Sequence, residues 1–288
     1  MTFKFARTGF AAGLAALVFA TGALAADPAP ATAVEADVAA GLPALNPAKA
    51  SVEQIQACSR ANLAAKGSLR DVTLKSKGRD GKERTLKLKL FWKPAKGSGE
   101  GRLNARVVEP KEVAGSSYLL IEAQPKEQLY FYLPAANKVQ QVSSDDLTRP
   151  LWGTDLSYND LKQLQGLAVS GTTKRAGDEV IESRKTYVLE TKLADATPQY
   201  SSLKSYVDQQ SCVPLKTDFL DKKGKVVKTL DADAKTLSQL DPYWFVTAYT
   251  LKDLSRGTQT AIELSDIFLL EQLSEKNFDP TSFYLANE

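Results

Sequence analysis

The feature that most constrains this chain is an alternation of apolar and polar residues that begins near Val72 and recurs as far as Ser265. Neighbouring side chains of an extended strand point to opposite faces, so a period of two indicates one buried and one solvated face. In the clearest segment, Thr85–Trp92, one face carries Lys87 and Lys89. The other face carries Leu86, Leu88, Leu90 and Trp92. We therefore predict a half-buried antiparallel strand here.

The same alternation recurs often enough to predict about ten or more short strands. The further segments are 103–107, 118–122, 129–133, 187–193, 203–208, 213–219, 226–230, 244–250 and 258–265. Two hairpin turns are expected at 79–82 and 221–225, because their glycines adopt the positive φ angles that such turns need. Many short strands joined by turns are typical of one sandwich, barrel or open barrel.

Three segments depart from this pattern. A helix is predicted over Ser51–Ala65, where Ser51 and Gln54 form a capping-box pattern before a weak apolar stripe, and Gly67 is expected to end it. Residues 110–115 predict a short turn or a single helical turn. The insertion Leu147–Gln165 is long for a connector, and such segments are often functional lids.

Within that insertion, Ser157 is a plausible N-cap of a short helix, and Trp152 is equally compatible with burial and with an exposed position in a lid. Asp155, Tyr158 and Asp160 cluster beside them. General acid catalysis would need carboxylates that converge on a cleft, and nothing in the sequence indicates this. We expect capping and surface hydrogen bonds instead.

The N-terminus predicts export. Met1–Arg7 is short and basic, an uncharged apolar stretch follows, and residues 23–25 give the small-x-small pattern that a signal peptidase reads. An uncleaved anchor is the alternative, but the stretch is only about the minimum spanning length. We expect a signal peptide at 1–25, an Ala- and Pro-rich leader at 26–50 and one domain at 51–288. The product would be soluble, not lipidated and periplasmic.

Composition excludes several classes of function. The sequence has no histidine, which removes Ser-His-Asp and Cys-His catalysis and histidine-containing zinc sites. It also has no GxSxG motif. Lys plus Arg number 37 against 34 Asp plus Glu, whereas a nucleic-acid-binding protein needs a clustered basic face. We expect a protein that is not an enzyme, binds no nucleic acid and needs no metal or cofactor.

Cys58 and Cys212 are the only cysteines. In an oxidising compartment an even pair is more often a disulfide than a nucleophile, and no histidine is present to act as a base. We predict a Cys58–Cys212 disulfide, which would tie the N-terminal helix to a later element.

Several motifs, in this order, resemble the outer-membrane lipoprotein-sorting protein family, the periplasmic relatives of the lipoprotein carrier LolA. The resemblance extends from about Ser51 to the C-terminus. Its most specific parts are LYFYLP at 129–134, WGTDLSYNDL at 152–161 and DKKGKVVKTL at 221–230. It implies a mostly β fold, an antiparallel sheet curled into an unclosed barrel and covered by the N-terminal helix and short helical insertions. It also implies that acyl chains bind between the sheet and its cover.

An apolar cavity is plausible because a few helical turns do not fill the inner face of a large curled sheet. For any single residue, plain core packing is the competing interpretation. The candidates for the wall and its lid are Leu86, Leu88, Leu90, Trp92, Leu119, Ile121, Trp152, Leu215 and Phe219.

Three functions follow as hypotheses. The first is a carrier that shields the acyl chains of a lipoprotein or a free lipid on the way to the outer membrane. The second is a lipid-binding accessory module of an inner-membrane lipid exporter of the RND type. The third, a periplasmic hydrolase, is disfavoured by the absence of histidine. We expect a monomer whose further partners are an inner-membrane exporter and an outer-membrane acceptor.

Overall fold

The structure is a computed structural model, and it describes residues 45–62, 67–94, 101–122, 127–142, 149–158, 160, 171–194, 199–240 and 242–285. The predicted signal peptide and the leader as far as residue 44 lie outside the described residues. In the described part, one α-helix, α1 (Val52–Ala61), precedes a succession of strands. The strands of the main sheet are β1 (Gly67–Lys77), β2 (Glu83–Lys93), β3 (Arg102–Glu109), β4 (Ser117–Ile121), β5 (Gln128–Leu133), β6 (Lys138–Gln141), β7 (Gly171–Ile181), β8 (Arg184–Leu193), β9 (Ser202–Asp208), β10 (Pro214–Leu220), β11 (Val226–Ala232), β14 (Ala248–Asp253) and β15 (Thr258–Leu270). The strands β12 (Leu237–Leu240) and β13 (Tyr243–Val246) form a separate ribbon.

The main sheet has thirteen strands in the order β6-β5-β4-β3-β2-β1-β15-β14-β11-β10-β9-β8-β7, and every neighbouring pair is antiparallel. β6 and β7 form its two edges, so the sheet does not close into a barrel. The predicted fold class, an unclosed antiparallel barrel, is confirmed.

The register places the predicted apolar row on one face, which we call the inner face. Val72 and Leu74 of β1 pair with Leu88 and Leu86 of β2, and directly paired residues share a face. The row continues across the sheet through buried residues of other strands, among them Ala105, Leu103, Leu120, Ile262, Leu251, Leu230, Phe219 and Leu203. The main core of the protein therefore lies along the inner face.

The inner face is covered by segments from outside the main sheet. Residues 151–158 and 160, which we call the cover segment, pack Leu151, Leu156 and Tyr158 into the same cluster as the wall. Helix α1 packs Ile55 against Tyr187 and other residues of β8 and β9. The predicted cover by the N-terminal helix and the insertion is therefore confirmed for the described part of each.

The outer face is covered at one end by the C-terminal residues. Phe278 and Phe283 pack against Phe91 of β2 and against two residues of β4, Leu119 and Ile121. The buried amide of Asn104 on β3 donates to the backbone oxygens of Asn277 at 2.7 Å and Phe283 at 3.0 Å. This C-terminal segment therefore gives β2 to β4 a second apolar interface.

Helix α1 begins as predicted and ends earlier than predicted. Ser51 and Gln54 form a reciprocal capping box. The helix ends at Ala61, not at Ala65, and Asn62 is its C-cap. The amide of Asn62 donates to the oxygen of Ser211 at 2.6 Å, and its oxygen accepts from the backbone N–H of Trp244 at 2.9 Å. These bonds to two distant segments hold the chain at the point where the helix ends, and Gly67 instead begins β1.

The predicted disulfide joins Cys58 of α1 to Cys212, which lies between β9 and β10, with a Cα–Cα distance of 5.7 Å. Residues 45–50, assigned above to the leader, also contact the sheet. The guanidinium of Arg175 on β7 donates to the oxygens of Ala50 at 2.8 Å and Pro47 at 2.7 Å. The N-terminal part of the domain is thus attached to the β7–β9 end of the sheet.

Several strand assignments differ from the predictions: β6, β7 and β12 were not predicted, and one predicted strand is divided into two. β7 was not predicted, because its exposed, charge-rich sequence lacks the alternation of a half-buried strand. The segment 244–250 was expected to be one strand, but it divides at Thr247 into β13 and β14. At this point the hydroxyl of Thr236 accepts hydrogen bonds from the backbone N–H groups of Thr247 and Ala248. The chain on one side of these bonds belongs to the β12–β13 ribbon and on the other side to the main sheet.

Candidate functional site

The candidate site is the inner face under the cover segment. Leu86, Leu88, Leu90 and Trp92 are each no more than 4% exposed there. Five of their seven direct partners on β1 and β3 are apolar, the exceptions being Ser68 and Arg70. One cluster of buried apolar residues extends from β5 to β9. Leu151, Leu156 and Tyr158 of the cover segment pack against this wall.

Aromatic side chains join the cover segment to the wall. The ring of Tyr118 on β4 lies 4.5 Å from that of Trp152 and 4.9 Å from that of Tyr158, both edge to face, and it stacks on Phe131 at 4.7 Å. Burial raises the pKa of the Tyr118 hydroxyl to about 12, although a hydrogen bond with Tyr158 opposes the rise. Edge-to-face contacts of this kind stabilise by about 1 kcal/mol beyond burial.

The turn that presents Trp152 has unusual backbone geometry. Trp152 has a φ of 51° and Gly153 a φ of 75°, in the left-handed region that non-glycine residues seldom adopt. The guanidinium of Arg84 donates to the Trp152 oxygen at 3.0 Å. A Cβ atom on Gly153 would lie 2.6 Å from that guanidinium, which is the flexible end of a side chain and can shift, so it is the positive φ that favours glycine here.

Asp155 attaches the cover segment to β15. One of its carboxylate oxygens accepts from the hydroxyl of Thr260 at 2.9 Å, and the other accepts from Thr258 and from the guanidinium of Arg256 at 2.8 Å. The Thr260 hydroxyl in turn accepts the backbone N–H of Asp155 at 3.0 Å. Asp155 is therefore a buried anchor, so the expectation of a surface role is wrong.

Asp160 forms a second buried anchor. Its carboxylate accepts from the backbone N–H and hydroxyl of Ser157, both at 2.7 Å, and from the ammonium of Lys228 on β11 at 2.6 Å. The Ser157 hydroxyl accepts the Asp160 N–H, as expected of an N-cap. The ammonium of Lys228 also donates to the backbone oxygen of Asp155 at 2.8 Å. Capping is thus confirmed, but within the interior and not on the surface.

The predicted site residues fall into three groups. Leu86, Leu88, Leu90, Trp92 and Phe219 lie together on the inner face, and Trp152 packs against the same cluster. Leu119 and Ile121 instead lie on the outer face under the C-terminal segment. Leu215 packs beside a register shift of β10 with Val213, Ala232 and Val246. The role of the first group as a ligand wall stays a prediction.

Sequence reasoning missed the residues that attach the cover. Lys228 lies in the segment predicted as a strand at 226–230, but no role was predicted for it, and the structure places it buried on the inner face. Arg256, Thr258 and Thr260 lie about a hundred positions from their partner Asp155, and no local pattern links such distant residues.

Other features of the described chain do not belong to this site. An open depression of about 440 Å³ is lined by polar residues near the start of β8 and the end of β9, including Arg184, Lys185 and Asp208. Among the described residues, no cluster of His, Cys, Asp or Glu is arranged to hold a metal ion. No helix in the described ranges is long and apolar enough to span a membrane.

The chain was compared with known families and structures. A family model described as an uncharacterized protein matches residues 100–284. No curated protein sequence matches the chain. A domain from Vibrio parahaemolyticus described as an outer membrane lipoprotein-sorting protein domain matches with a TM-score of 0.72 and 22% identity, over 81% of this chain and 98% of that chain.

Two further solved structures share the architecture. A DUF1329 family protein from Desulfovibrio piger matches with a TM-score of 0.71 and 22% identity, over 78% of this chain and 94% of that chain. A LolA superfamily protein from Nitrosomonas europaea matches with a TM-score of 0.62 and 18% identity, over 80% of this chain and 98% of that chain. The resemblance found in the sequence is therefore confirmed at the level of the fold.

Proposed function

The chain belongs to the family of uncharacterized proteins whose model matches residues 100–284 and has a LolA-like fold, and from this premise we propose that it is a periplasmic carrier of acylated ligands. Its ligand is a lipoprotein acyl chain or a free lipid, and its destination is the outer membrane. The inner face is the wall of the binding site, and the cover segment is its lid. No covalent chemistry is involved.

The observation that carries this proposal is the position of the cover segment on a continuous apolar wall. The cover segment is held by polar anchors on β11 and β15, at Lys228 and Thr260. Towards β4 its contacts are mostly apolar, with Tyr118 and its neighbours. The exceptions are the hydrogen bond between Tyr158 and Tyr118 and the one that a backbone oxygen of the cover segment accepts from Arg84. Apolar contacts are not directional, and an acyl chain can replace them. The cover segment is thus suited to remain anchored on one side while ligand enters on the other.

Energetics favour such an exchange. Burying one methylene group contributes about 0.8 kcal/mol, so a chain of about a dozen carbons has enough driving force to offset substantial ordering losses. In the absence of ligand, Leu151 and Leu156 of the cover segment keep the wall from water. This avoids the large exposed apolar patch that promotes aggregation.

The proposal is tested by purifying the protein from its own periplasm, extracting it with organic solvent and analysing the extract by mass spectrometry. Acylated polypeptide in stoichiometric amounts supports a lipoprotein carrier. Free lipid supports the accessory module of an inner-membrane lipid exporter. An extract without any acyl compound, together with no uptake of a fluorescent fatty acid by the delipidated protein, contradicts both.

A further inference from the structure

Three donor-bearing side chains interrupt the apolar wall at one end. Ser68 of β1 lies directly opposite Trp92 of β2, and Arg70 lies opposite Leu90. Alternate residues of a strand share a face, so Ser68 and Arg70 lie on the inner face with Val72. We call Ser68, Arg70 and Trp92 the donor group. Cβ atoms of directly opposed residues are about 5 Å apart, so Ser68 and Trp92 are immediate neighbours.

Two members of this group are buried without a hydrogen bond. Ser68 is 0% exposed and Trp92 is 4% exposed. Within the described part of the chain, neither the Ser68 hydroxyl nor the Trp92 indole N–H has a hydrogen-bond partner. A buried polar group without a partner costs about 1–3 kcal/mol, so native proteins seldom contain two side by side. Such a pair of donors is suited to bind an acceptor oxygen of a ligand.

Arg70 adds positive charge at the same place. Burial lowers the pKa of its guanidinium, an effect that nearby Tyr249 opposes. The same burial raises the pKa of Tyr249 to about 12, and Arg70 opposes that rise. Anionic oxygens accept charge-assisted hydrogen bonds from a guanidinium, so Arg70 favours an anionic group at this end of the wall.

The indole ring lies against the backbone of Gly101. A Cβ atom at Gly101 would lie 2.8 Å from Cη2 of Trp92 and still closer to a carboxylate oxygen of Glu122. A larger residue at position 101 would therefore require both side chains to shift.

We propose that Ser68, Arg70 and Trp92 bind the anionic head group, a carboxylate or a phosphate, of an acylated ligand whose chain lies along Leu90, Leu88 and Leu86. This inference rests on the proposed function and adds the chemical class and the orientation of the ligand. The head group lies where β1 begins and β2 ends, and the acyl chain runs along the wall towards Arg84. Ligands with a cationic head group are excluded by Arg70.

The test uses the delipidated mature protein and four probes with the same alkyl chain length: palmitate, hexadecyl phosphate, hexadecanol and hexadecyltrimethylammonium. Each displaces a fluorescent fatty acid below its micelle concentration. We expect both anionic probes to bind about tenfold more tightly than hexadecanol, the effect of one charge-assisted hydrogen bond. The cationic probe should bind most weakly.

Variants assign the effect to the donor group. Ser68→Ala and Arg70→Met should each weaken palmitate binding severalfold and leave hexadecanol binding nearly unchanged. Trp92→Phe also alters the wall, so it should weaken palmitate binding more than hexadecanol binding. The matched control is Ser76→Ala on the same strand and face, because the Ser76 hydroxyl already donates to the Arg84 oxygen at 3.4 Å. If Arg70→Met fails to fold, the binding of palmitate by Ser68→Ala and Trp92→Phe tests the head-group assignment.

The outcomes separate this inference from the proposed function. Equal binding of all four probes overturns the head-group assignment and leaves the carrier intact. Binding of none of them overturns the carrier and the assignment together. Displacement of palmitate by inorganic phosphate alone would mean that the donor group binds a free anion, which also overturns the assignment.

Discussion

The ammonium nitrogen of Lys228 lies 2.6 Å from a carboxylate oxygen of Asp160, and both side chains are almost completely buried. This ion pair connects β11 to the cover segment. The other carboxylate oxygen of Asp160 has no hydrogen-bond partner in the described part of the chain. The charge of Asp160 therefore depends on Lys228 and Ser157 for compensation, and the cover segment depends on this pair for its position.

We predict that Lys228→Met lowers the free energy of unfolding by about 3–5 kcal/mol, because it leaves a buried carboxylate without a counter-ion. Urea denaturation followed by circular dichroism measures this change. The control is Lys252→Met, which removes a partly exposed partner of Asp231 and should cost about 1 kcal/mol or less. Equal effects of the two substitutions would contradict an anchoring role for Lys228.

The disulfide should stabilise the domain chiefly by restricting the unfolded chain. Cys58 and Cys212 are 154 positions apart, and the chain-entropy model assigns such a loop about 4–5 kcal/mol as an upper figure. We expect Cys58→Ser to lower the free energy of unfolding by up to this amount, while ligand affinity at low denaturant stays close to that of the parent protein. Thiol titration of the denatured, non-reduced parent should find no free thiol; two would disprove the bridge.

Stability should depend on pH through Asp208. Burial opposes ionisation of this carboxyl most strongly, but hydrogen bonds from Arg184 and Ser211 outweigh it and lower its pKa. A pKa below that of the unfolded chain means that the stabilisation is complete above the unfolded value, about 4, and is lost as the pH falls through the folded value.

We therefore expect Asp208→Asn to be clearly less stable than the parent near neutral pH, with the difference shrinking as the pH falls below about 4. Urea denaturation at several pH values measures it. Glu263→Gln, which removes a half-exposed partner of Lys75, is the control and should show a small difference throughout. A difference for Asp208→Asn that does not change with pH would rule out this linkage.

The parts of the fold predicted from sequence are those where one face is buried and the other solvated. In β2, Lys87 and Lys89 mark the solvated face, so the sequence alone predicts which residues lie on the inner face. In β4 the residues from Tyr118 to Ile121 are all apolar and all buried, because the C-terminal segment covers the second face. Alternation therefore could not place Leu119 and Ile121.

Local sequence patterns could not predict how the cover segment is attached to the sheet, for a different reason. Asp155 and Asp160 lie in a loop with Ser157 and other polar residues, a composition that normally indicates exposure. Their burial depends on Lys228 and Thr260, which reach them only after the sheet has formed. Such compensation between distant residues is a property of the tertiary structure.

The position of Trp152 in the cover segment provides a spectroscopic prediction. The chain has three tryptophans, so Trp92→Phe with Trp244→Phe leaves Trp152 as the only one. Saturating hexadecanol should change the emission of this variant, because ligand that separates the cover segment from Tyr118 alters the surroundings of the indole. A variant that retains only Trp244, on the β12–β13 ribbon, is the control. Unchanged Trp152 emission at saturation would mean that the cover segment does not act as a lid.

The last prediction concerns the wall itself. Leu88 and Lys87 are neighbours on β2, but Leu88 is 2% exposed on the inner face while Lys87 forms a surface ion pair with Glu109. A glutamate on the wall would lie against an acyl chain without a partner, and burying such a charge is very costly. We expect Leu88→Glu to abolish uptake of a fluorescent fatty acid and Lys87→Glu to leave it nearly intact.

The fold of Leu88→Glu must be verified first, because a buried carboxylate without a counter-ion can unfold the domain. If its circular dichroism spectrum loses the β signal, Leu88→Ala replaces it. That change removes apolar contacts without adding charge and costs about 2–5 kcal/mol of stability, and it should weaken binding of the fatty acid severalfold. Positions 88 and 87 are neighbours on β2 and differ in the face of the sheet on which they lie. Equal uptake of the fatty acid by a folded Leu88 variant and by Lys87→Glu would mean that the inner face is a packed core and that the ligand binds elsewhere.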